Sequence, residues 1–199
     1  MLNPQRVVPD AVVLDACVLI SNVLRYLSLQ VARAGWVQPL WSPVIADEWV
    51  RNASRLWQVP PESLWQDWQA FNAEFPNADQ GGVQNFKEGL VYSDPKDWHV
   101  IAAARVALAE HSNRSVGILT KNLRDFNRSE LKRLQIALWE PDAFFSACWQ
   151  RDPARFQTWL AQMPAQVNAP DKEPLPVAEL LKRERLFVLN KLYLSRIND

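Results

Sequence analysis

Glycine is scarce, five residues in a chain of 199, and none follows the first apolar segment at Ala11 to Asp15. A glycine-rich turn that brings backbone amides against a pyrophosphate is therefore excluded, and dinucleotide binding with it. Cysteine is scarcer still. Cys17 and Cys148 each stand in an apolar stretch, with no CxxC or Cys/His spacing suited to zinc. They read as free, buried thiols in a reducing compartment, and the fold needs no disulfides. No apolar run approaches about 18 residues, so no bilayer span is expected. Met1 to Asp10 contains Pro4 and Pro9 and has no basic segment leading into an apolar one, so the expected location is cytoplasmic. Nor is charge of either sign in excess. With 22 basic and 22 acidic residues the formal net charge is +0, which argues against coating nucleic acid by bulk electrostatics but allows local basic patches.

What the chain does have is apolar material, 48% of its residues, arranged as short runs between helix-like periods. Ala11 to Asp15, Val37 to Trp41, Val116 to Thr120 and Ile136 to Trp139 read as strands, with Phe86 to Tyr92 weakly so. Helical spacing runs from Val18 to Val31 through Leu19, Val23 and Leu27. A second helix opens at Ser42-Pro43, an N-cap followed by proline at the first helical position, and continues through Glu48 to about Leu56. Others start at Ser93-Asp94-Pro95 and near Asp142. Strands alternating with helices predict an α/β fold with a central parallel sheet covered on both faces.

The expected organisation is one domain over 1–162, with a helical, tryptophan-rich segment at 57–90 carrying Trp65, Trp68, Phe71 and Phe75. A proline-rich linker at 163–177 (Pro164, Pro170, Pro174, Pro176) leads to an amphipathic helix at 178–199. Aromatics at helical spacing fit core packing better than base stacking. The terminal helix has two readings, packing against its own domain or a second copy, and docking of a small protein partner.

Four acids stand where these segments run out: Asp15, Glu48, Asp97 and Asp125. Burying a lone carboxylate costs several kcal/mol, so four that converge imply a cation, Mg²⁺ or Mn²⁺. In parallel sheets the site lies at the carboxyl ends of the strands, where Asp15 and Asp125 fall, with Glu48 and Asp97 at helix beginnings beside it. Each acid also has a local reading. Asp94 and Asp97 suit an N-cap, Asp125 suits a turn, and Asp47 faces solvent. Asp15, ending an apolar strand, is hardest to explain locally. Around them lie Arg51, Arg55, Lys121, Arg124, Arg128, Lys132 and Arg133, either solvated helix faces or a grip for a polyanion.

The stretches VVLDACVL, SPVIADEWVRN, DPKDWHVIAAA and LTKNLRDFN resemble, in order and spacing, the signatures of PIN-domain ribonucleases, especially the VapC-like toxins. The resemblance covers roughly Val12 to Trp139. It implies a PIN-like α/β/α sandwich, here with a C-terminal helical extension, that hydrolyses RNA with Mg²⁺ or Mn²⁺. Asp15, Glu48, Asp97 and Asp125 match the metal-binding catalytic acids. Thr120 and Asn122 match polar residues leading into the last acid, and His99 matches a histidine that often follows the third. Asn122 is expected to hydrogen-bond a neighbouring carboxylate, and Arg51, Lys121 and Arg124 to hold the RNA. A small antitoxin covering the site is the implied partner, and a homodimer is compatible. The rival reading is a non-catalytic module of the same fold that binds RNA or protein without an ion.

Overall fold

A computed structural model describes residues 7–110, 114–167 and 173–197. At its centre is a four-stranded parallel sheet of β1 (Ala11–Leu14), β2 (Gln38–Leu40), β3 (Val116–Leu119) and β4 (Ile136–Trp139), ordered β2-β1-β3-β4. Every residue of β1 and β3 is buried, which is why both read as continuous apolar runs. Helices flank the sheet: α1 (Ala16–Ile20), α2 (Asn22–Arg33), α3 (Pro43–Trp57), α4 (Pro61–Glu74), α5 (Trp98–Glu110), α6 (Arg128–Arg133), α7 (Pro141–Arg151), α8 (Pro153–Val167), α9 (Val177–Arg183) and α10 (Phe187–Ile197). From β1 the chain moves outward to β2, and from β3 it moves the opposite way to β4. The crevice between the carboxyl ends of β1 and β3 is thus the switch point of the topology, the place where such sheets bind ligands.

The expected helix from Val18 to Val31 is broken in two. Ser21 adopts an extended conformation, ends α1 and caps α2 by accepting the Leu24 N–H at 3.2 Å. The carbonyl of Leu19, released by the break, is taken up by Arg25 Nη1 at 2.6 Å and by Trp49 Nε1 at 3.2 Å. Trp49 belongs to an aromatic cluster that joins α3 to α4, with ring centroids 5.5 Å from Trp68 and 5.9 Å from Phe71. Trp41 adds a contact to Trp68 at 5.3 Å, while Trp65 stays 38% exposed. Most aromatic side chains of the tryptophan-rich segment are therefore packed. Within 57–90 only α4 is α-helical, followed by a single parallel bridge from Trp41 to Asp79.

Three further expectations need correction. Phe86 to Tyr92 is not a strand: Gln84–Lys87 forms a 3-10 turn, and the following amides are engaged by a side chain described below. The expected linker at 163–177 is helical as far as Val167, because α8 continues through Pro164. Phe156, Trp159, Leu160 and Met163 recur at helical spacing on its buried face, and their burial outweighs the roughly 3 kcal/mol that an interior proline costs. Residues 168–172 of that linker, like residues 1–6 and 198–199, lie outside the described residues.

The expected single terminal helix is two. α9 ends in a Schellman turn, Leu186 N–H donating to Leu181 O at 2.8 Å and Arg185 N–H to Lys182 O at 3.0 Å, with Arg185 at φ 61°. α10 then starts on Asp142, whose carboxylate accepts the N–H groups of Val188 at 2.8 Å and Leu189 at 3.0 Å. The break buries Leu186 and Leu189 fully, and α10 packs on α7 while α9 packs on α8. Among the described residues no helix is long and apolar enough to cross a membrane.

Gly117, in the middle of β3, has no room for a side chain. A Cβ there would sit 3.0 Å from Pro9 Cγ and 3.2 Å from both the Ala137 carbonyl and Trp139 Cδ1. Gly117→Val is therefore expected to destabilise the protein by about 1–3 kcal/mol, a fall of several degrees in Tm measured by circular dichroism. An unchanged Tm would show that the sheet yields there.

Candidate functional site

Asp15 follows β1 directly. Its N–H extends the β1–β3 ladder by donating to Leu119 O at 3.2 Å. It is also the N-cap of α1, Oδ1 accepting the Cys17 N–H at 3.5 Å, so the local reading holds for this acid as well. Yet it is 3% exposed, more than a surface cap requires. Its Oδ2 receives the Thr120 hydroxyl at 2.6 Å and the Cys17 thiol at 3.1 Å. Those two donors are held in turn: Thr120 Oγ1 accepts the Asn122 N–H at 2.9 Å, and Cys17 Sγ accepts the Lys121 N–H at 3.2 Å. Burial pushes the Asp15 carboxyl above the usual carboxylate range and the Glu48 charge adds to this, while the Thr120 and Cys17 hydrogen bonds oppose it.

The other acids arrive on three separate elements. Ser42 caps α3 by accepting the Ile45 N–H at 3.4 Å, and Glu48 stands on that helix. Asp94 caps the turn Pro95–Asp97, its Oδ1 accepting the Lys96 N–H at 2.9 Å, which leaves the Asp97 side chain with no capping role. Asp125 ends a 3-10 turn after β3, and its carbonyl accepts the Asp94 N–H at 2.8 Å, joining the two acidic turns. His99 Nε2 lies 3.3 Å from Glu48 Oε2, misaligned for a hydrogen bond and otherwise unpartnered among the described residues.

The acids act on one another. The Asp97 carboxyl is pushed up to about 6, first by burial, then by the charges of Asp15, Asp125 and Glu48, with His99 opposing. Among the described residues neither Asp97 nor Asp125 is ion-paired to a lysine or arginine. The site therefore gathers negative charge without neutralising it. Also among the described residues, no three His, Cys, Asp or Glu side chains are grouped closely enough to hold a metal ion. The expected closure to a shared coordination distance is not met; the carboxylates stand within electrostatic reach instead. The donor set itself, carboxylate oxygens with an adjacent hydroxyl, has the chemistry of a hard divalent cation.

The polar and basic residues are placed differently from expectation. Asn122 contributes its backbone N–H to Thr120, and among the described residues its side chain bonds no carboxylate. Lys121 is ion-paired to Glu184, just past α9, at 3.1 Å. Arg51 and Arg124 are exposed, as is Asp47. No protein-family model, curated protein or solved structure matches the chain.

Glu130 was not singled out by the sequence, and Cys17, read there as a buried free thiol, is free but only partly buried and bonds Asp15. Asn127 and Glu130 have capping-box spacing, and Asn127 Oδ1 does accept the Glu130 N–H at 3.0 Å. The Glu130 carboxylate, however, reaches across the fold to the N–H groups of Val91 at 2.8 Å, Tyr92 at 3.2 Å and Ser93 at 3.0 Å. Burial alone would raise its pKa; the amides outweigh it and hold the group below the usual range. A local pattern thus concealed a long-range role.

The folded protein keeps the Asp97 proton up to about pH 6, whereas the ordinary value is 3.8, so stability is lost as pH rises through that interval. Asp97→Asn removes the repulsion. In EDTA near pH 8 it is expected to stabilise by about 1 kcal/mol, allowing for solvent screening of a half-exposed group, or about 2–4 °C in Tm. The gain should vanish below about pH 4, where both states are protonated. Equal Tm values at both pH values would show that the acids do not repel.

Proposed function

We propose that the chain is a divalent-metal-dependent endoribonuclease with a PIN-like α/β/α fold, the toxin of a toxin–antitoxin pair. The observation that carries this is that Asp15, Glu48, Asp97 and Asp125 stand within electrostatic reach of one another beside the sheet's switch point, where burial and their charges raise the Asp97 pKa and, among the described residues, no lysine or arginine is ion-paired to Asp97 or Asp125. The order and spacing of the four motifs support the same assignment. Asp15 and Asp97 would hold Mg²⁺ or Mn²⁺, with Glu48 and Asp125 completing the set. Such an ion supplies a water that ionises near neutral pH and charge relief at the leaving oxygen.

The protein's own groups supply the geometry. Thr120 and Cys17 fix the rotamer of Asp15 through Oδ2. His99 Nε2 stands 3.3 Å from Glu48 Oε2, close enough to bond it after a small rotation. Arg51 and Arg124, exposed near the acids in sequence, hold phosphates flanking the cleaved bond. A small antitoxin would silence the enzyme by covering this edge, in the cytoplasm, and a homodimer is compatible with the exposed Phe187 and Ile197 of α10.

Purified protein incubated with total cellular RNA and Mg²⁺ is expected to generate new 5′ ends at defined positions. EDTA should abolish them, and Asp15→Ala should lower the rate by roughly 100-fold or more, since a metal-held nucleophile contributes several kcal/mol. At limiting Mg²⁺, cleavage should also weaken as pH falls below about 6, because the proton taken up by the metal-free Asp97 competes with the ion. Undiminished cleavage by Asp15→Ala, or in EDTA, refutes the proposal. One observation favours a non-catalytic RNA- or protein-binding module instead: among the described residues no three acids stand close enough to hold an ion as they are. That module would bind its partner in EDTA and tolerate Asp97→Asn.

A further inference from the structure

Glu130 is 2% exposed, yet its carboxylate is spent on three consecutive backbone amides, Val91, Tyr92 and Ser93, in a segment with no regular structure. Burying an ionised carboxylate for this purpose fixes a loop that would otherwise move. The same segment is fastened at further points. Ser93 Oγ accepts the Asn127 N–H at 3.0 Å, Ser93 O accepts Trp98 Nε1 at 2.9 Å, and the Asp94 N–H binds the Asp125 carbonyl at 2.8 Å. A loop this firmly held nevertheless turns two large apolar side chains outward: Val91 and Tyr92 are each 67% exposed. The result is an aromatic ring exposed on a backbone that is held in place, so a partner contacting it would meet a fixed surface.

Its position defines the contact. Tyr92 is two residues from Asp94, at most about 7 Å along the chain, and Asp94 is bonded through its backbone to both Asp125 and Asp97. Tyr92 thus belongs to the loop that is hydrogen-bonded through its backbone to both acidic turns, and a single strand bound at the acids is the partner this placement favours. Bases of single-stranded RNA stack on such aromatics without needing a particular sequence. We infer that Tyr92 is a stacking platform for a nucleobase flanking the cleaved phosphate, held in place by Glu130. The inference rests on the nuclease reading and adds a positioning residue to it.

The test uses the full-length protein and a single-stranded RNA oligonucleotide carrying 2-aminopurine, whose fluorescence is quenched on stacking. Tyr92→Ala is expected to raise KM about 5- to 100-fold with kcat little changed, the range for loss of one base–aromatic stack. It should also reduce the quench seen when the oligonucleotide is bound by the slow Asp15→Ala variant. Tyr92→Phe and Tyr92→Trp should retain both. Because the side chain is exposed and Glu130 binds only backbone, all three variants should melt with the wild type. Wild-type kinetics and quenching in Tyr92→Ala, while the parent protein cleaves RNA, overturns this inference alone. Loss of self-association in Tyr92→Ala with unchanged RNA parameters assigns the ring to a protein contact and overturns it equally. A parent protein that neither cleaves nor binds the oligonucleotide overturns the nuclease reading and this inference together.

Discussion

Burying the Asp15 carboxylate is the constraint around which the rest of the site is organised. A carboxylate at 3% exposure has lost most of its hydration, and only donors fixed in advance can compensate. Thr120 supplies one from the end of β3, and Cys17 supplies the other from the first turn of α1. Because Asp15 directly follows β1 and Thr120 directly follows β3, their bond ties together the carboxyl ends of the two central strands. The Asn122 and Lys121 amides behind these donors then set the path of the turn that carries Asp125. The placement of the last acid is thus a consequence of satisfying the first.

Acidic residues are used in two opposite ways. Glu130 is buried and over-supplied with donors, so its charge is stabilised and the loop on which it acts is held. Asp97 is half-buried and surrounded by its own kind, so its charge is destabilised. Environment thus separates two carboxylates that composition alone treats alike. It also explains how a chain of zero net charge carries a strongly polarised edge.

The four strands were legible because double-sided burial makes each a continuous apolar run, and Ser42-Pro43 announced α3 through its capping chemistry. That Asp15, Glu48 and Asp125 would act on Asp97 was suggested by their places at the ends of apolar segments and in early helical turns, while the distances between them were not. What the sequence hid was decided by partners distant in the chain. Phe86 to Tyr92 has strand-like residues, but its amides are claimed by Glu130, some 37 to 39 positions away. Ser21 breaks a helical period because Trp49 and Arg25 take the freed carbonyl. Pro164 looked like the start of a linker, and the buried face of α8 overrode it. Lys121 looked available to substrate, and the α9–α10 turn bound it.

Asp142 sits in the first turn of α7 and also receives the first amides of α10. One negative charge therefore answers the positive ends of two helix dipoles. Apolar faces alone tolerate sliding, since one leucine ridge resembles the next. A shared counter-charge does not, because displacing either helix strips the other's pin. The tail of the chain is consequently fixed in register as well as in contact, and Glu184 is delivered to Lys121 at a set position instead of sampling a range of them.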